Sequence, residues 1–234
     1  MTDVSVSSPA LVRCEAVSRT FGTGRLAVVA VHCVTCAVES GGRVAIMGPS
    51  GSGKSTLLHL LGGLESPTSG RISWPALPDG SSTLEGGIAL VFQGASLMPA
   101  LTVVENVAFP LLLQRFSDPS ARDQAVDALT TLGIDDLAGK LPEELSGGQA
   151  QRVAVARVLA SRPRLILADE PTGRLDHAAG RLVIDVLTAA ADELGAGLVV
   201  STHDPTVADR FSTRWRMTDG SLEIATLTPL EVPA

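Results

Sequence analysis

Only two of the 18 basic residues are lysines, and one of them, Lys54, lies within Gly48-Pro49-Ser50-Gly51-Ser52-Gly53-Lys54-Ser55-Thr56. This run fits G-x-x-x-x-G-K-[ST], a loop whose backbone N–H groups can turn inward around phosphates. Lys54 would neutralise β- and γ-phosphate oxygens, and the Ser55 hydroxyl would ligate Mg²⁺. An apolar strand ending at Met47 precedes the loop. A helix follows, and its positive end adds to the anion site. The expected ligand is a nucleoside triphosphate.

A second group of residues suits the same chemistry. Leu165-Ile166-Leu167-Ala168 is an apolar strand ending in Asp169-Glu170. In open α/β sheets, ligands bind beyond the carboxyl ends of the strands, so both acids would face the phosphate loop. Asp169 is expected to hold Mg²⁺ through water, and Glu170 to take a proton from the attacking water. Gln93 follows the apolar run Ile88–Phe92, and His203 follows Leu198–Thr202. Gln93 could contact Mg²⁺ or the lytic water, and His203 the γ-phosphate. Taken singly, each could equally be an ordinary hydrogen-bonded residue. Leu145-Ser146-Gly147-Gly148-Gln149 opens another helix, with Ser146 suited to cap it and Gln149 to answer from the third position. Two glycines there leave a bare positive helix end for a second anion contact.

The elements that must position these groups alternate. Val44–Met47, Ile88–Phe92, Leu165–Ala168 and Leu198–Val200 are short and unalternating, as expected for parallel strands buried on both faces. Helical spacing runs through 55–62, 120–132, 147–161 and 181–194. The pattern predicts an α/β fold with a mainly parallel sheet. Residues 11–38 read as an antiparallel flap. Asp219-Gly220, between Trp215–Thr218 and Leu222–Ile224, reads as a hairpin turn. The expected layout is a single domain over 11–224, with its core at about 11–93 and 163–224 and a helical subdomain at about 94–162. Residues 1–10 and 225–234 would be tails.

Composition excludes several alternatives. The net charge of −7 opposes general nucleic-acid binding, which rests on excess Lys and Arg. No run is long enough to span a bilayer as a helix, and the first residues lack a signal-peptide pattern, so the expected location is cytoplasmic. Cys33 and Cys36 lie three apart on a strand, facing opposite sides, without a second pair to complete a zinc site. They read as small buried hydrophobes.

Together these motifs resemble the ATP-binding cassette (ABC) family of transporter ATPases, from about Leu11 to Ile224. The resemblance implies a P-loop NTPase (RecA-like) core. It makes GPSGSGKST the Walker A motif, LILADE Walker B, Gln93 the Q-loop and LSGGQ the signature. His203 becomes the switch histidine, Gly173–Asp176 the D-loop, and Phe21 the aromatic that stacks on adenine. It further implies ATP and Mg²⁺ as cofactors. Two copies would close head to tail around two ATP, beneath a separate transmembrane permease at the inner face of the cell membrane. LLGGLESPTSG and LTVVENVAFPL are similar to the macrolide-export and lipoprotein-release ATPase subunits. Leu97, Met98, Pro99 and Leu101 are candidates for the permease-docking surface or for ordinary core. Arg174 stands where the D-loop usually has a small or amide residue, and the segment Gly70–Gln93 is shorter than in those subunits. The alternative reading is a regulatory cassette of a cell-envelope or sensor complex with little net transport.

Overall fold

The computed structural model describes residues 10–77, 87–114, 116–173 and 175–226. Strands β1 (Val12–Phe21), β2 (Val28–Val38) and β4 (Ser69–Ser73) form an antiparallel sheet in the order β2-β1-β4. The second sheet contains β3 (Arg43–Met47), β5 (Ile88–Val91), β6 (Leu165–Asp169), β7 (Gly197–Thr202), β8 (Thr213–Thr218) and β9 (Ser221–Thr226). Its order is β5-β6-β7-β3-β8-β9, parallel except for the final hairpin. The helices are α1 (Lys54–Leu61), α2 (Val103–Leu113), α3 (Asp118–Thr131), α4 (Gly147–Ala160), α5 (His177–Leu194) and the single turn α6 (Pro205–Ala208).

The unalternating strands are explained by two cores, one on each face of the larger sheet. Successive side chains on a strand point to opposite faces. Ile46, Leu165, Leu167 and Val199 therefore join Leu57, Leu61 and the flap residues Val12, Val17 and Val34. Their neighbours Ala45, Ile166, Ala168, Leu198 and Val200 face Val183, Ile184 and Leu187 of α5. A third core gathers Val103, Val107 and Leu111 of α2, Ala121, Ala125 and Leu129 of α3, and Val153 and Ala156 of α4.

Several elements depart from the sequence pattern for identifiable reasons. Helix α5 begins at His177, four residues before the expected start, because the Asp176 carboxylate caps it by accepting from the N–H groups of Ala178 and Ala179. Strand β9 runs to Thr226, beyond the expected end of the domain, and Ala10 is buried rather than part of a loose tail. The remaining expected tail residues, 1–9 and 227–234, lie outside the described residues, as does Arg174. Cys33 is a correction. It is exposed, because Val34, Cys36 and Val38 turn into the core and Cys33 lies on the opposite, outer face of β2. Cys14 and Cys36 sit opposite each other, both buried, and the contact with Cys14 together with burial pushes the Cys36 thiol upward.

Asn106 stands out within α2, whose exposed end begins at a capping box between Thr102 and Glu105. Its buried amide accepts from the Met98 N–H at 2.7 Å. It also donates to the carbonyls of Met98, Leu101 and Thr102. This one side chain ties the loop after Gln93 to the helical core. Asn106→Leu would strand those groups, and a loss of about 2–3 kcal/mol is expected in urea unfolding. The Glu105 carboxyl is held below its ordinary value by the Thr102 hydroxyl and backbone N–H. Because the folded state lowers that value, its support for α2 is complete above the unfolded carboxylate range. It fades as pH falls through the lowered value. The gap in urea midpoint between the native chain and Glu105→Gln should therefore close in acid.

Candidate phosphate-loop site

The loop from Gly48 to Gly53 is walled by backbone rather than side chains. Gly53 caps α1 with φ +101°, and a Cβ there would lie 2.1 Å from the Ala30 carbonyl of β2. A Cβ on Gly48 would meet the Met217 carbonyl of β8 at 2.2 Å. Glycine is required at both positions by this approach of the flap and hairpin. The hairpin turn supplies a further tie. Asp219 and Gly220 both have positive φ, as a two-residue hairpin of this twist demands. The Gly220 N–H donates to Ser52 O at 3.1 Å, and its carbonyl accepts from the His32 N–H at 2.8 Å. One residue thus joins hairpin, flap and phosphate loop.

Lys54 is buried at the first turn of α1. Its ammonium donates to the carbonyls of Gly48 at 2.9 Å and Pro49 at 3.0 Å, and lies 3.6 Å from Glu170 Oε1. The other Glu170 oxygen, Oε2, is 2.7 Å from His203 Nδ1. Glu170 itself takes φ +45°, a conformation rare outside glycine that is found disproportionately at functional sites. A cavity of about 580 Å³ is lined by Ser50, Gly51, Gly53, Lys54, Ser55, Thr56, Gln93, Glu170 and His203, with Val28–Ala30 along one side. That size suits a small-molecule ligand. Asp169 lies beside this set at the end of β6, paired with Ser201 of β7.

Phe21 does not line the cavity, but its strand partner Val28 does. The Arg19 guanidinium covers the Phe21 ring at 4.5 Å and is itself held by Glu65 at 2.7 Å. Ser55 and Gln93 line the cavity and Asp169 does not; each carries an oxygen of the kind a hard cation such as Mg²⁺ takes.

Ser146, Gly147, Gly148 and Gln149 are elsewhere. They line a separate cavity with Arg152, Leu175, Asp176, Ala179 and Leu182. The capping box forms as expected: Gln149 N–H donates to the Ser146 hydroxyl, and the Gln149 side-chain oxygen accepts from the Ser146 N–H. Nothing lies within 4 Å of a Cβ built on Gly147, and Gly148 would meet only Ala179 Cβ at 3.7 Å. Among the described residues no neighbour requires these glycines.

Sequence reasoning did not single out Gln151, Asn106 or Ser201. Gln151, buried on α4, donates to Phe92 O beside Gln93. Arg157 of the same helix donates to the carbonyls of Ala95 and Ser96. Burial lowers the pKa of that guanidinium. A polar residue within an apolar run was the available signal for Asn106; the other two depend on contacts distant in sequence.

A family profile described as "ABC transporter" matches residues 31–173. The lipoprotein-releasing system ATP-binding protein LolD of Legionella pneumophila (strain Paris) is 40% identical over 208 residues, covering 86% of this chain and 91% of its own. The LolD protein of Shewanella denitrificans is also 40% identical, covering 92% and 96% respectively. Among solved structures, the dimeric ATP-binding cassette MJ0796, bound to ADP and Pi after hydrolysis, superposes with a TM-score of 0.83 at 36% identity. It covers 94% of this chain and all of its own. The cbiO1 protein of Clostridium perfringens, part of an ABC transporter complex, gives 0.79 at 29% identity over 92% of this chain and 87% of its own.

Gly220→Ala tests the three-way tie, because a Cβ would lie 3.1 Å from Ala30 O on a backbone at φ +79°. A cost of about 1–3 kcal/mol is expected. Thermal melting should show that loss, and calorimetry should show severalfold weaker ATP binding.

Proposed function

The chain belongs to the ABC transporter family as an ATP-hydrolysing, ATP-binding subunit. From that premise we propose that two copies close head to tail over two ATP and drive a separate transmembrane permease of the lipoprotein-releasing kind. The similarity to LolD over nearly the whole chain supports the cargo class. The dimeric cassette supports the pairing. Among the described residues no helix is long and apolar enough to cross a membrane; the proposed permease would place the subunit at the inner face.

The arrangement that carries the mechanism is the chain of contacts Lys54–Glu170–His203. A triphosphate entering the loop would present its β- and γ-oxygens to Lys54, which would exchange its carbonyl partners and Glu170 for phosphate. Glu170, released from that cation, would accept the proton of the attacking water. His203 would hold the other carboxylate oxygen and approach the γ-phosphate. Ser55, Gln93 and Asp169 would hold Mg²⁺, which supplies charge neutralisation at the phosphate oxygens when bound. Phe21, backed by Arg19, would stack on adenine.

The second half of the site is proposed to come from the partner copy. Ser146, Gly147, Gly148 and Gln149 present a helix N-terminus with unfilled space over its glycines. A γ-phosphate on the partner's loop would fill that space, and its departure would remove the contact that favours the closed state. The helical subdomain, about 94–162, would carry the motion. Gln151 and Arg157 tie α4 to the loop at Gln93.

Of the docking candidates, Met98 lines an apolar groove with Leu64, Phe92, Phe109, Pro110 and Leu113, while Leu97 packs against the helical core. The groove is the proposed seat of the permease's cytoplasmic segment.

Glu170→Gln is expected to keep ATP binding and lower turnover by about 10²- to 10⁴-fold. With ATP and Mg²⁺ it should sediment as a dimer in ultracentrifugation, whereas adding Gly148→Arg should return it to monomer. Phosphate release at the native rate by Glu170→Gln would overturn the assignment of the base.

A further inference from the structure

We propose that Ser201 is a positioning residue that sets the Asp169 carboxylate and the Glu170 backbone with a single hydroxyl. This rests on reading Asp169 as a Mg²⁺ contact and Glu170 as the base. Asp169 and Ser201 are register partners on adjacent parallel strands, so their side chains project from the same face. The Ser201 side chain is fully buried in β7, where every residue is buried. A hydroxyl placed there is costly unless its hydrogen-bonding capacity is used.

Its capacity is used in a determined direction. The Glu170 N–H can only donate, so at 3.0 Å the Ser201 hydroxyl accepts from it. The one hydroxyl proton is then given to Asp169 Oδ1, 2.5 Å away, a length usual for a hydroxyl bonded to a carboxylate. The Glu170 N–H also reaches the Ser201 carbonyl at 3.2 Å, which anchors the residue to β7 where it turns to φ +45°. One side chain therefore fixes the rotation of Asp169 and supports the backbone that aims Glu170 at Lys54 and His203. A carboxylate without that donor is free to rotate, and the oxygen offered to the cation's water shell moves with it.

The test separates positioning from general support. In the Glu170→Gln background, where turnover does not disturb binding, calorimetry would compare Ser201→Ala with its parent. One arm uses ATP with Mg²⁺ and the other ATP with EDTA. Binding with Mg²⁺ is expected to weaken about tenfold, the scale of one hydrogen bond to a charged group. Binding in EDTA should stay within about twofold, below the scale of that hydrogen bond. In the otherwise native chain, Ser201→Ala should raise the Mg²⁺ concentration for half-maximal ATPase and lower kcat. Ser201→Thr, which keeps the hydroxyl, should recover most of both. Equal affinities in the Mg²⁺ arm would overturn the proposal. An equal loss in both arms with a lower melting temperature would also overturn it, as would a Ser201→Thr variant no better than alanine. If Glu170→Gln alone turns over at the native rate, the base assignment fails. The Mg²⁺ and EDTA arms still report on Ser201.

Discussion

The candidate site is arranged around a stretch of backbone that tolerates no side chain at either of its ends, Gly48 and Gly53. The phosphate loop has the Ala30 carbonyl against Gly53 and the Met217 carbonyl against Gly48, each near 2 Å from where a Cβ would stand. Those carbonyls belong to strands from opposite ends of the chain, one in the flap and one in the last hairpin. The flap therefore does more than cover the core: it sets one wall of the loop. The hairpin sets the other and clasps Ser52 through Gly220. A loop held at both ends in this way has fewer conformations to lose when phosphate binds.

The electrostatics follow from the same enclosure. Lys54 is buried and held by two loop carbonyls, with Glu170 as its nearest countercharge. A buried cation needs such partners, and a triphosphate offers stronger ones. Binding and catalysis are coupled in the proposed mechanism because the partner that Lys54 gives up is the group that must receive a proton. His203, on the far side of Glu170, gives that carboxylate somewhere to stay when Lys54 turns away.

The parts of this scheme that were legible in sequence are those written in local spacing. The phosphate loop, the strand ending in Asp169-Glu170 and the Ser146–Gln149 capping box need only neighbours a few residues apart. The buried strands were visible because both faces of the sheet are covered, which removes alternation. Strand β4 escaped notice because Ser69–Ser73 is short, polar and half-exposed at a sheet edge. Helix α2 carries three valines and an internal Pro110, a poor helical signature that tertiary packing overrides. Cys33 departs from its expected burial because β2 packs only one face on the core, the face of Val34, Cys36 and Val38, and Cys33 is on the other. Ser201 acts through Asp169 and Glu170, brought near only by folding, and no spacing rule points to it. Gly220 was legible as a hairpin turn, but its tie to Ser52 and His32 was not.

The signature glycines pose the opposite case to the loop glycines. Gly53 and Gly48 are explained within one chain, since backbone occupies the place of their side chains. Gly147 has open space there, and Gly148 nearly so. A side chain at Gly147 would meet nothing among the described residues. In the proposed dimer the constraint that favours glycine would lie outside the chain, on a group that approaches the end of α4. A phosphate seated on the facing copy's loop meets that requirement. In that proposed arrangement the cavity at Lys54 and the cavity at Ser146, separate within a single chain, would meet across the two copies.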